Sequence, residues 1–190
     1  MIPGSTGIPY RMLAAITGIA ASTAATTYAV QAIRKKETAL DDALTSGAVS
    51  LVTVSAWELF WWGIRRYRRT QLFEAAKIKA AELNRPLVVV GAPDGGVTRG
   101  YGCGDVTIDL SPSVCPNWVP FDITKQLPFS DNSVVVFCSC VLEYVEDPCS
   151  AISELERISG GFIYFVGVEP WTLTSLYYPG AKQTLPEKYR

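Results

Sequence analysis

Apolar and polar positions divide the chain into two parts. Met12 to Ile33 carries no charge. At about 1.5 Å of rise per residue, the run is long enough for a helix that crosses a hydrocarbon core of about 30 Å. A second apolar run, Gly47 to Ile64, holds Trp57, Phe60, Trp61 and Trp62 near its end. The next segment, TQLFEAAKIKAAELNRP, places Leu72, Phe73, Ala76, Ala80 and Leu83 at a helical period, which predicts a helix ended by Asn84 and Pro86. Beyond Pro86 the apolar runs are short. LVVV (87–90), VTID (106–109), a run centred on Val134 to Cys138, and FIYFVGV read as buried strands. AISELERIS between the last two reads as a helix, capped by Ser150 and ended by Gly160 and Gly161. This alternation predicts a parallel α/β sheet.

Charge refines the first part. Arg65, Arg66, Arg68 and Arg69 follow the aromatics at once, as at a membrane interface with a cytoplasmic flank. Gly18 with Ser22, and Ala21 with Ala25, have the small-xxx-small spacing that lets helices approach closely in lipid. The expectation is a transmembrane helical hairpin with both ends on one side; the rival is one span, with the Trp-rich segment lying in the interface. Arg11 and the four arginines make five basic residues on one side, against Arg34, Lys35 and Lys36 on the other. That count places the C-terminal domain on the cytoplasmic side. Glu58 is expected to reach the interface or pair with Arg65 or Arg66.

Composition excludes several chemistries. The chain has no histidine, which removes Ser-His-Asp and Cys-His catalysis and the commonest zinc ligand. The net charge of -1 gives no basic field for nucleic acid. Mean hydropathy is +0.18, with the apolar excess in the first third. Five cysteines without CxxC spacing argue against a disulfide framework and for buried thiols in a reducing compartment. No metal site is expected.

The ordered series GAPDGG, IDLSP, FDITKQLPFSDNSVVVF, VLEYVEDP and ELERISGG resembles the class I S-adenosylmethionine-dependent methyltransferases from Pro86 to about Trp171. The resemblance implies an incomplete Rossmann-like sheet. It also implies cofactor-binding positions: Gly91 and Gly95 in the first glycine loop, Asp109 for the ribose hydroxyls and Asp122 for the adenine amine. The residues alone allow plainer roles. The glycines can be turn formers, Asp109 can cap the Ser111-Pro112 turn, and Asp122 can start a turn before Thr124.

Several positions depart from the family pattern. Val89 stands where an acid is usual, Pro93 replaces the middle glycine, and Val135 stands where Asp is frequent. Only residues 97 to 105 separate Gly96 from the second strand, too few for a crossover helix. The four positions are therefore expected to be vestigial. The resulting domain plan is a membrane-anchoring region (1–69), a connecting helix (70–85), a methyltransferase-like α/β domain (86–171) and an extended tail (172–190). The expected function is a non-catalytic structural or interaction component of a membrane-associated assembly, such as a virus particle or an organellar complex. Its partners would be the lipid bilayer and neighbouring proteins, with no cofactor. The alternative is an active methyltransferase that uses S-adenosylmethionine on a membrane-bound or lipid acceptor.

Overall fold

The computed structural model of the chain describes residues 10–93, 100–167 and 172, the side chains of 10–13 excepted. These residues fall into two compact units, one within Gly7–Gly63 (Thr172 groups with it) and one within Ile64–Pro170.

In the first unit, α1 (Tyr10–Ile33) covers the uncharged run. The helix α2 (Ala39–Leu83) is continuous over 45 residues, so the Trp-rich run and the segment after the arginines are one helix. Small residues bring α1 and α2 together. Ser46 Oγ donates to Thr27 Oγ1 at 2.9 Å, and a Cβ on Gly47 would sit 3.0 Å from Ala24 Cβ. Among the described residues, α2 is the one helix long and apolar enough to cross a membrane. Leu44, Val49, Val52, Leu59 and Phe60 on it are all exposed.

In the second unit, five parallel strands stand in the order β3-β2-β1-β4-β5. They are β1 (Leu87–Val90), β2 (Val106–Ile108), β3 (Trp118–Val119), β4 (Val135–Ser139) and β5 (Ile163–Val166). β1 pairs with β4 through Leu87 and Val135, and with β2 through Val88 and Val106. Both central strands are buried on both faces, which is why they read as unbroken apolar runs. Side chains alternate. Val88, Val90, Val136 and Cys138 pack with Leu155 and Ile158 of α3 (Pro148–Ser159). Leu87, Val89, Val135 and Phe137 pack with Phe73, Ala76 and Ala80 of α2.

The ends of both helices that pack on the sheet follow backbone chemistry. Asn84 takes the left-handed conformation after α2, and Gly160 does so after α3, donating its N–H to Glu156 O. The N-cap of α3 is Asp147, not Ser150. Asp147 accepts from Ser150 N at 3.0 Å, and Pro148 follows in the first turn, where its missing N–H costs nothing.

Residues 91–105 connect β1 to its parallel neighbour β2. The described parts, 91–93 and 100–105, contain no helix. The second part lies against the C-terminal part of α2 instead. Thr70 Oγ1 donates to Gly100 O at 2.8 Å, and Tyr101 packs its ring on Phe73 and Phe137. At Gly104 a Cβ would lie 2.5 Å from Leu87 O, so only glycine lets the strap run this close to the strand.

The cysteines correct the expectation of unpaired thiols. Cys103 and Cys115 form a disulfide, while Cys138, Cys140 and Cys149 are free. The strap brings Cys103 beside the segment that follows β2, a proximity that linear spacing does not encode.

Candidate functional site

The strand order reverses direction at β1, which has β2 on one side and β4 on the other. In open parallel sheets, ligands bind beyond the carboxyl ends of the strands at such a point. A cavity of about 410 Å³ lies there, lined by Gly91, Asp109, Asp122, Ser139, Cys140 and Tyr144 over an apolar floor that includes Val90 and Ile108. Three of the four residues read from the sequence are thus brought together. Gly95 lies outside the described residues.

Gly91 has φ +93°, and a Cβ there would meet Val141 Cγ2 at 2.6 Å and Ser139 O at 2.9 Å. Glycine is required both by the conformation and by the close approach of the β4 backbone.

Asp109 is partly buried, and both its oxygens are engaged. Oδ2 accepts from Ala92 N at 2.7 Å, and Oδ1 accepts from Ser111 N at 2.8 Å. The carboxylate therefore joins the loop after β1 to the turn after β2. Trp118 Nε1 donates to Asp109 O at 3.0 Å, fixing the same residue from β3.

Asp122 Oδ1 accepts from Thr124 N at 2.9 Å and from Thr124 Oγ1 at 2.8 Å. The backbone N–H of Thr124, and then its hydroxyl, hold the Asp122 carboxyl below its ordinary value. Asp109 and Asp122 are the charged groups among the described lining residues.

Two crevice residues escaped the sequence reading. Ser139, at the end of β4, is 1% exposed, and its Oγ has no hydrogen-bond partner. A hydroxyl buried in this way is unusual in a folded protein. Cys140 follows with φ +53°, and its sulfur accepts from Arg69 Nη2 at 2.8 Å. The available signal was the change from the apolar VVVF to SC at a strand's carboxyl end.

Residues 90–165 match the family model described as "Methyltransferase domain". That stretch is a class I methyltransferase-like domain. The match takes in β1's last residue through most of β5, less than half of the chain, and the parallel sheet agrees with it. No curated protein and no solved structure matches the chain significantly. An S-adenosylmethionine site in such a domain would lie in the crevice of Gly91, Asp109 and Asp122. The geometry fits it in part. The approach at Gly91 is open to a backbone-close ligand, but both oxygens of the carboxylate meant for ribose already accept backbone N–H groups.

Proposed function

We propose that the chain is a membrane-anchored, non-catalytic methyltransferase-like protein that serves as a structural or interaction component of a membrane-associated assembly. The observation that carries the non-catalytic reading is the engagement of Asp109. Each of its oxygens holds a loop N–H, so about half of its acceptor capacity is already committed to bonds that shape the crevice, and ribose hydroxyls would have to share what is left. Pro93 adds to this, since it has no N–H for a cofactor carboxylate. Anchoring is supported by the exposed apolar residues of α2, of which Trp57 and Trp62 lie just before the arginine cluster. The excess of basic residues on that flank supports placing the domain on the cytoplasmic side.

Thermal unfolding of the full chain in detergent micelles, with and without S-adenosylmethionine, tests the non-catalytic reading. At about 100 times its Kd, a ligand adds about 2.7 kcal/mol, a shift of about 11–22 °C for a domain of about 100 residues, at about 4–8 °C per kcal/mol. No shift is expected with millimolar cofactor, and a shift in that range refutes the reading. Carbonate extraction without detergent tests the anchor. The protein is expected in the membrane pellet, and full release contradicts anchoring.

A further inference from the structure

The Cys103–Cys115 bond closes a ring that contains all of β2 and the whole Asp109 wall of the crevice. Cys103 is exposed and Cys115 is 5% exposed. Leu110 and Val114, on the same ring, are 70% and 87% exposed. The exposed thiol of Cys149 coexists with this bond. A disulfide with one exposed sulfur is open to attack by an external thiolate.

The sheet does not depend on the ring. β2 is held to β1 by three paired positions, and of the buried residues in the two cores only Ile108 lies within the ring. What the ring restrains is the segment from Asp109 to Val114, which Asp109 Oδ2 ties across the crevice mouth to Ala92 N. We infer that the Cys103–Cys115 bond is a redox clip on the crevice: oxidised, it holds the Asp109 wall against Ala92, and its reduction by a dithiol releases that wall. The inference rests on the reading of Asp109 as a staple.

The chemistry is thiol–disulfide exchange. A thiolate of the dithiol attacks the exposed Cys103 sulfur, the Cys103–Cys115 bond breaks, and Cys115 leaves as a thiolate that takes up a proton. The second thiol of the reductant then attacks the mixed disulfide. Cys103 is released as a thiol and the reductant as its disulfide, a transfer of two electrons and two protons in all.

The test uses the full chain in detergent micelles, titrated with dithiothreitol and followed by maleimide labelling and hydrogen exchange. The oxidised protein has the three free thiols of Cys138, Cys140 and Cys149, and after reduction Cys103 and Cys115 label as well. Exchange at Ala92 and across 109–114 is expected to quicken about tenfold or more on reduction, as a local opening, while 87–90 and 135–139 stay protected. The double variant Cys103→Ser/Cys115→Ser should exchange as the reduced protein does, whatever the reductant. If that variant does not fold, the titration of the unaltered chain still decides. Unchanged exchange at Ala92, loss of protection spreading to 135–139, or labelling of Cys103 without reductant each overturns the clip. The staple is judged separately: Asp109→Ala in the oxidised protein should quicken exchange at Ala92. If it does so while reduction does not, the clip alone fails; if it does not, the staple fails.

Discussion

Replacing Asp109 by Ala separates a structural carboxylate from a ligand-binding one. The side chain accepts two backbone N–H groups, at 2.7 Å from Ala92 and 2.8 Å from Ser111. Hydrogen bonds to a charged group contribute about 1.5–3 kcal/mol each. Asp109 is only partly buried, so water recovers some of what is lost, and a total near 2–3 kcal/mol follows from the lower part of that range. Asp109→Asn retains one acceptor but turns an amide N–H₂ towards the other backbone N–H, and it should lose about 1.5–2 kcal/mol. Urea unfolding of the detergent-solubilised chain, followed by the fluorescence of Trp118 on neighbouring β3, measures both losses without any ligand. A carboxylate kept for a cofactor behaves differently: in the free protein its removal is neutral or stabilising, because functional groups are held at a cost in stability. A change within about 0.5 kcal/mol of zero, or a gain, would refute the staple.

Gly91→Ala should destabilise the domain by about 2–5 kcal/mol, from backbone strain at positive φ and from crowding against Ser139 O and Val141; thermal unfolding that leaves the midpoint unchanged would contradict the geometry. Phe73→Ala removes a ring that packs edge-on against Phe137 at 5.3 Å and should cost about 3–5 kcal/mol, which the same unfolding experiment reads. Glu154 accepts from Arg157 and from Leu127 N, and the Arg157 guanidinium holds its carboxyl below the ordinary 4.5. A lowered folded-state value means that this contribution is full above 4.5 and is lost as pH falls through the folded value. Glu154→Gln should therefore lose about 1 kcal/mol at neutral pH, solvent screening included, and the gap should close in acid; a gap that widens in acid would show the sign to be wrong.

The legible parts of the fold were those in which one local rule dominates. Val88 to Val90 and Val135 to Phe137 are consecutive buried residues, and a strand buried on both faces writes itself as such a run. Asn84 and Gly160 mark helix ends because only a few residue types accept a left-handed backbone. β3 was missed because it has two residues, Trp118 and Val119, set between Pro116 and Pro120, too few to form a pattern. For the site, the turn from Asp109 to Ser111 could be read from adjacency, whereas the bond to Ala92 could not, since it depends on β1 and β2 ending side by side. The same holds for Cys103 with Cys115, for Arg69 with Cys140, and for the buried hydroxyl of Ser139. Each is a contact between distant segments, and the sequence carries the residue types without the distances.

The central claim is that the crevice no longer takes the cofactor of its fold, and titration calorimetry of the full chain with S-adenosylmethionine tests it most directly. The loss of three charge-assisted contacts at about 1.5–3 kcal/mol each would move a micromolar site to millimolar or weaker. The expected result is no heat beyond dilution up to millimolar cofactor, for the unaltered chain and for Asp109→Ala alike. A dissociation constant in the low micromolar range that Asp109→Ala abolishes would contradict the claim and make the domain a cofactor-binding methyltransferase.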